Sequence, residues 1–215
     1  MTDIGVTDMN AWLEGFSRAV TENESVLTEL DSTIGDADHG ANLTRGMNAV
    51  IAALSAEQFE TFADLFTKVG MTLVTTVGGA SGPLYGTFFL RLGSSAGKVE
   101  SVDASGFGDA LQSGLEGIIA RGRAEVGDKT LVDALAPAVE AWKAAAASGS
   151  TPAAAAQAAL AAAETGRDAT GPLVARKGRA SYLGERSAGH LDPGATSLTL
   201  LFGALADALA KKAGA

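Results

Sequence analysis

The segment "FETFADLFTKVGMTLVTTV", residues 59 to 77, carries apolar side chains at a helical spacing. Its apolar stripe consists of Phe59, Phe62, Leu65, Phe66, Val69, Leu73 and Val77. Steps of three and four residues place these side chains on one face of an α-helix, whereas a half-buried strand would alternate apolar and polar residues. A helix with such a face buries it against other elements. The segment therefore predicts a helix inside a helical domain.

Seven further segments predict helices by the same spacing or by their starts. They are Met9 to Val20 behind a Thr7 cap, Leu43 to Leu54, Leu84 to Leu92 opening at Pro83, Phe107 to Ile119 after Asp103, Leu135 to Trp142 starting near 128–130, an alanine-rich helix opening at "STP" (150–152), and Leu198 to Leu209. Only "KVESV" (98–102) resembles a strand, which is too little for a sheet. Eight helices with short connections predict an all-α fold, an antiparallel up-and-down barrel or bundle.

Composition narrows the class of protein further. The 215 residues are 47% hydrophobic, enough for a core, and we expect one domain over 1–215. A net charge of -9 argues against a nucleic-acid partner, because binding to the phosphate backbone needs a basic surface. The chain lacks cysteine, and its N-terminus lacks the pattern of a signal peptide, so we expect a cytoplasmic protein. The longest uncharged stretch, 144–163, is too weakly apolar to predict a membrane span.

The segment "LDSTIGDADHGANLTRG" (30–46) concentrates the carboxylates Asp31, Asp36 and Asp38. Oxygen ligands without cysteine suit a hard cation. An EF-hand loop is excluded, because the twelfth position is Met47 counted from Asp36 and Asn42 counted from Asp31, where a glutamate is required. Mg²⁺ with phosphate fits better, since Mg²⁺ takes few carboxylates and fills its sphere from phosphates and water. The alternative is three solvated acids that cap helices. His39 is either a phosphate contact or acid–base group, or a surface or capping residue.

Three other loops fall between the helical stripes. "VGGASGPLYG" (77–86) is either a phosphate-binding helix start or an ordinary corner between helices. "GRAEVGDKT" (122–130) misses the P-loop pattern, because Asp128 separates Gly127 from Lys129 and no strand precedes it. "RKGRASYLGERSAGHLDPGA" (176–195) holds four of the chain's sixteen basic residues, Arg176, Lys177, Arg179 and Arg186, within eleven positions. That density suggests an anionic ligand, an acidic partner, or a solvated loop beside carboxylates.

In order along the chain, these blocks resemble the nucleotide-binding (L) subunit of dihydroxyacetone kinase. The matching stretches are "LDSTIGDADHGANLTRG", "GMTLVTTVGGASGPLYGTFF", "ARGRAEVGDKT" and "ARKGRASYLGERSAGHLDPGATS". The resemblance implies an eight-helix barrel with the nucleotide at one end, in agreement with the helix count. It also implies roles for individual residues. The metal ligands would be Asp31, Asp36 and Asp38, holding two Mg²⁺ ions, and the nucleotide contacts would be His39, Gly40, Ala41, Asn42, Ala80, Ser81, Gly122, Leu131, Arg179, Asp192, Pro193 and Gly194.

The same resemblance implies a mechanism and partners. A phosphoryl group would pass from Mg²⁺-bound nucleotide to dihydroxyacetone held on a separate K subunit, so the chain would be a kinase subunit and inactive alone. The free-standing length and the "RKGRASYLGERS" match favour the type in which bound ADP is recharged by a phosphohistidine carrier subunit of the phosphotransferase system. The alternatives are an ATP-dependent L subunit for dihydroxyacetone or a related small hydroxy-ketone, and a non-catalytic nucleotide-binding regulatory module. A homodimer is also compatible with the sequence.

Overall fold

The computed structural model describes residues 3–213. In chain order the elements are β1 (Ile4–Gly5), α1 (Val6–Glu22), α2 (Glu24–Ile34), α3 (His39–Ala56), α4 (Phe62–Thr76), α5 (Ser81–Ala96), β2 (Ser101–Val102), α6 (Ala104–Gly122), α7 (Val132–Ala147), α8 (Pro152–Ala169), a 3₁₀ segment (Arg179–Ser187) and α9 (Pro193–Ala213). β1 and β2 form one antiparallel pair, with Ile4 opposite Val102. The all-α prediction is confirmed.

Eight of these helices form a closed ring. Each of α3 to α8 packs against the next helix along the chain, and α1 packs against both α3 and α9. The seam between the first and last helices includes a hydrogen bond of 2.8 Å from Trp12 Nε1 to the Leu201 carbonyl. At the same seam Lys212, near the end of α9, lies 2.6 Å from Asp8, near the start of α1. The ring is thus the predicted antiparallel barrel.

The helix α2 lies outside the ring and was not predicted. It packs against α3, α9 and the 3₁₀ segment. Its buried residues are only Leu27, Asp31 and Ile34. A helix on the outside of a barrel needs only a narrow apolar stripe, so its sequence lacks the periodicity that reveals the ring helices. The extra helix leaves the eight-membered ring intact.

The predicted helix starts at Asp103 and Thr151 are confirmed, and others are displaced. Asp103 and Thr151 cap α6 and α8, and Thr61 caps α4, each accepting a backbone N–H from the residue three positions later. The predicted Thr7 cap is wrong: α1 begins at Val6, and the Asp8 carboxylate reaches back 2.7 Å to the Gly5 N–H. α5 begins at Ser81, two residues before the predicted start at Pro83, and α7 begins at Val132, just after the predicted start near 128–130.

The barrel interior is filled by aromatic rings from several helices. Trp12 lies 5.8 to 6.1 Å, between ring centroids, from Phe66, Phe89 and Phe107. α9 is apolar and long enough to cross a membrane by composition, with a mean hydropathy of 1.3 over Pro193–Lys212, but 67% of that window is buried. Its place between α1 and α8 accounts for this apolarity, as expected for a core helix.

Candidate functional site

A cavity of about 260 Å³ opens at one end of the barrel. The first residues of four alternate ring helices line it: His39 of α3, Ser81 of α5, Val132 of α7 and Pro193 of α9. In an antiparallel ring, alternate helices point the same way, so their N-termini meet at one end. The positive ends of the four helix dipoles converge there. This end of the barrel is suited to an anion.

The three predicted aspartates meet at the cavity. One ligand atom from each of Asp31, Asp36 and Asp38 can be chosen so that all lie within 4.8 Å of one another. At that distance each pair of carboxylates repels by about 3 kcal/mol at an effective dielectric of about 20. All donors are oxygens, which fits the hard cation that the sequence predicts. The grouping suits Mg²⁺ better than isolated solvated acids, although its ligand role stays a prediction.

Asp31 is held in place by the turn that follows α2. Its Oδ2 accepts the backbone N–H groups of Asp38 at 2.9 Å and His39 at 3.2 Å, so the carboxylate also caps α3. A Cβ atom at Gly35 would lie 2.0 Å from Asp31 Oδ1, which only glycine avoids. Asp31 therefore caps a helix, as the alternative interpretation of the three acids expected, and it also belongs to the acidic cluster.

His39 is buried and has a hydrogen-bond partner at each ring nitrogen. Nδ1 lies 3.0 Å from Ser81 Oγ, and Nε2 lies 2.9 Å from Ser197 Oγ. Burial lowers the pKa of His39, while the nearby carboxylates Asp31 and Asp38 act in the opposite direction. The ring thus connects the starts of α3, α5 and α9 beneath the cavity.

The residues after His39 do not reach the cavity wall. Gly40 faces α2, where a Cβ atom would lie 2.2 Å from the Glu24 carbonyl, so this glycine serves helix packing. Ala41 is exposed on α3. Asn42 is buried behind the glycine loop and accepts a 2.7 Å hydrogen bond from Arg45. The helical turn of α3 carries these residues away from the cavity, so the predicted contacts for Gly40, Ala41 and Asn42 find no support in the cavity lining.

The other predicted nucleotide contacts all line the cavity. They are His39, Ala80, Ser81, Gly122, Leu131, Arg179, Asp192, Pro193 and Gly194. Within the basic loop, Arg179 pairs with Asp36 at 2.9 Å, and Lys177 also lines the cavity. Arg176 and Arg186 are exposed and outside the lining. The 3₁₀ segment that starts at Arg179 therefore covers one side of the acidic cluster.

Lys129 fastens the loop that precedes α7, a role that the sequence did not reveal. Its side chain is 1% exposed, and its Nζ donates to the carbonyls of Thr170 at 2.8 Å and Leu173 at 3.1 Å, and to those of Gly171 and His190. Burial lowers the pKa of Lys129, and the carboxylates of Asp192 and Asp133 oppose that shift. One ammonium thus joins three loops around the cavity.

Asp192 caps α9 and is also part of the cavity wall. Its Oδ2 accepts the Ala195 N–H at 2.7 Å. Burial raises the pKa of Asp192 to about 7, and the nearby Asp133 and Asp31 add to the rise while the Ala195 N–H and Lys129 lower it. The carboxyl group therefore sits close to its midpoint near neutral pH.

An apolar wall completes the cavity, and sequence reasoning missed most of it. It consists of Ile34, Leu84, Ile118, Ala124, Leu131 and Val132. Leu84 and Ile118 belong to predicted helical stripes and look like ordinary core positions in the sequence. The other four are single apolar residues at helix ends or in loops, so no local signal marks them. A cavity with one acidic wall, one wall of helix N-termini and one apolar wall suits a ligand with an anionic end and a flat apolar end.

Comparisons with known proteins agree with this geometry. The DAK2 domain family matches residues 33–207. The ADP-binding subunit DhaL of PEP-dependent dihydroxyacetone kinase 1 from Listeria innocua is 45% identical over 194 residues, covering 90% of this chain and 92% of the relative. The chain belongs to the DhaL family.

A second DhaL relative, the ADP-binding subunit of a PTS-dependent dihydroxyacetone kinase from Lactococcus lactis, is 43% identical over 93% of this chain and 95% of its own length. The fold matches the crystal structure of the Citrobacter freundii dihydroxyacetone kinase in complex with AMP-PNP and Mg²⁺, with a TM-score of 0.73 and 27% identity. That match covers 96% of this chain and 35% of the larger kinase. The resemblance predicted from the sequence is confirmed.

Proposed function

We propose that this chain is the ADP-binding subunit of a dihydroxyacetone kinase, working with Mg²⁺. The observation that carries the proposal is the meeting of Asp31, Asp36 and Asp38 with four helix N-termini at one cavity. Family membership supports it, since the DhaL relatives are named as ADP-binding subunits of such kinases.

Each wall of the cavity has a task in this proposal. Asp31, Asp36 and Asp38 would hold Mg²⁺, which would supply positive charge to neutralise the phosphates. The positive dipole ends at the starts of α3, α5 and α9 attract the diphosphate, and the apolar wall near Leu131 receives the base. Arg179 adds positive charge at the cavity mouth, where it pairs with Asp36. The chain's contribution to phosphoryl transfer is position and electrostatic stabilisation, with no covalent step on its own side chains.

We infer the partners from the separate subunits that bind substrate and nucleotide in this family. Dihydroxyacetone would be held by a separate K subunit, and a phosphohistidine carrier subunit of the phosphotransferase system would recharge the bound ADP. The PEP-dependent and PTS-dependent names of the two relatives support a carrier over free ATP. We place the protein in the cytoplasm, as one domain over 1–215, and a homodimer stays a prediction.

Heat extraction of the gently purified protein tests the proposal. We expect near-stoichiometric ADP and Mg²⁺ in the extract, measured by chromatography and by elemental analysis. Asp36→Asn removes one negative ligand and should abolish retention of both. Asp207→Asn is the matched control, because Asp207 is an exposed aspartate near the far end of α9.

Two results would refute the proposal: protein that carries no nucleotide and ignores added ADP with Mg²⁺, or equal retention by the Asp36→Asn variant. Retained ATP that exchanges freely with solvent would instead favour the ATP-dependent alternative.

A further inference from the structure

Two buried hydroxyl groups lie behind His39, on the side away from the cavity. Ser197 of α9 is 0% exposed and Tyr85 of α5 is 1% exposed. Ser197 Oγ lies 2.9 Å from His39 Nε2, 2.8 Å from the Tyr85 hydroxyl and 3.0 Å from the Gly194 carbonyl. A serine hydroxyl has one hydrogen and two lone pairs, so these three contacts use its full capacity.

The directions of the three hydrogen bonds follow from their partners. The Gly194 carbonyl only accepts, so Ser197 donates its hydrogen there. Among residues 3–213, Ser197 is the hydrogen-bond partner of the Tyr85 hydroxyl, and burial raises the pKa of Tyr85, so Tyr85 keeps its proton and donates it to Ser197. The second lone pair of Ser197 is left for His39. Nε2 of His39 must therefore carry a hydrogen.

We propose that Ser197 and Tyr85 are positioning residues that fix His39 in its Nε2–H form and thereby orient the hydroxyl of Ser81. With Nε2 protonated, the neutral ring presents Nδ1 as an acceptor to Ser81 Oγ, 3.0 Å away on the cavity wall. Ser81 then turns its hydrogen toward the ring and its oxygen lone pairs toward the cavity.

An oxygen acceptor on the cavity wall suits a particular part of the ligand. Mg²⁺ usually keeps several water molecules, and these donate hydrogen bonds. Ser81 in this orientation would receive such a hydrogen bond, whereas a bare phosphate oxygen would need a donor. This step rests on the proposed function, because it takes the ligand to be a nucleotide diphosphate with hydrated Mg²⁺.

Nitrogen NMR of the imidazole rings tests the proposal without any nucleotide. The chain has two histidines, so all samples carry His190→Gln, and the remaining imidazole signals come from His39. In ¹⁵N-labelled protein with EDTA at pH 8, we expect a protonated Nε2 and an unprotonated Nδ1. Ser197→Ala removes the acceptor and should shift His39 toward the Nδ1–H form. Tyr85→Phe keeps the ring stacked on Phe16 but removes the donor to Ser197, so the Ser197 hydroxyl can turn its hydrogen toward His39, and we expect a partial shift toward the Nδ1–H form.

Thr199→Ala is the matched control for Ser197→Ala. Thr199 carries a buried hydroxyl on α9 that donates to the Ala195 carbonyl at 3.0 Å, and its hydrogen bonds do not involve His39. The control should keep the wild-type spectrum. An Nδ1–H form in the wild type, or an unchanged spectrum in Ser197→Ala and Tyr85→Phe, would overturn the proposal.

Affinity for ADP with Mg²⁺ separates this proposal from the proposed function. We expect Ser197→Ala to weaken ADP binding about three- to tenfold, the cost of one misdirected hydrogen bond, and Thr199→Ala to leave it unchanged. If the wild type and the Ser197→Ala variant bind ADP equally well, the positioning role is overturned and the proposed function stands. Wild-type protein that does not bind ADP would overturn the proposed function, and the spectrum would still decide the form of His39.

Discussion

At the scale of single residues, the buried carboxyl group of Asp192 has a raised pKa. Its pKa is raised from 3.8 to about 7, chiefly by burial. Between these values the folded protein holds a proton that the unfolded chain has released. The stability that this group contributes is therefore complete below pH 4 and is lost as the pH rises through about 7.

Asp192→Asn should remove this pH dependence while keeping an oxygen that can accept the Ala195 N–H. At pH 5, already above the ordinary pKa of 3.8, the variant should be more stable than the wild type by at most about 1.6 kcal/mol. At pH 8 the variant should be more stable, by at most about 4 kcal/mol, the equivalent of about three pKa units. Urea denaturation of nucleotide-free protein in EDTA measures both values. An equal difference between the two proteins at pH 5 and pH 8 would contradict the prediction.

Residues that lie close together in the chain could be predicted as a site, and residues joined only by the fold could not. Asp31, Asp36 and Asp38 lie within eight positions, so one turn brings them together whatever surrounds it. Tyr85 and Ser197 are 112 positions apart and meet only when α5 and α9 occupy their places in the barrel. In the sequence each is one more polar residue near an apolar stripe, and no spacing marks them as partners of His39.

At the scale of elements, Lys129 holds the loop before α7 against the segments that follow α8 and precede α9. Lys129→Met keeps much of the side-chain length but removes the ammonium, so buried carbonyls at Thr170, Leu173 and His190 lose their donor. We expect a loss of stability of about 3 kcal/mol. Amide hydrogen exchange should speed up in segments 170–175 and 190–194, while the core of α4 keeps its protection.

Lys143→Met is the control for that variant. Lys143 is half-exposed, and its ion pair with Asp109 spans 3.6 Å at the surface, where such pairs contribute about 1 kcal/mol or less. It should leave exchange in segments 170–175 and 190–194 unchanged. Unchanged exchange there in Lys129→Met, or faster exchange spread evenly over the chain, would show that Lys129 does not fasten these loops.

The elements that sequence reasoning identified are those whose packing demands a broad apolar face. Ring helices such as α4 touch two neighbours and the interior, so they need a wide stripe of large side chains, and spacing reveals it. α2 rests on the outside of the ring, and burial of Leu27 and Ile34 suffices to hold it there. The third buried residue of α2, Asp31, is polar. It contributes to the acidic cluster but interrupts the apolar spacing by which the helix could have been predicted.

At the scale of the whole molecule, the cavity joins alternate members of the ring. α3, α5, α7 and α9 all begin at its wall, so a ligand there contacts four of the eight barrel helices at once. Opening any of these helices exposes the ligand and costs its binding energy. Binding should therefore stabilise the barrel as one cooperative unit and not only the loops beside it.

This coupling predicts a thermal shift of known size. At a free concentration of ADP with Mg²⁺ 100 times its Kd, the native state gains about 2.7 kcal/mol, and a protein of this length gains about 2 to 4 °C in Tm per kcal/mol. We expect Tm to rise by about 5 to 10 °C in a single transition, and EDTA to reverse the rise, because without the cation the aspartates repel the diphosphate. Calorimetry measures both the shift and the number of transitions. A second transition that is insensitive to ADP would mean that part of the ring unfolds independently of the cavity.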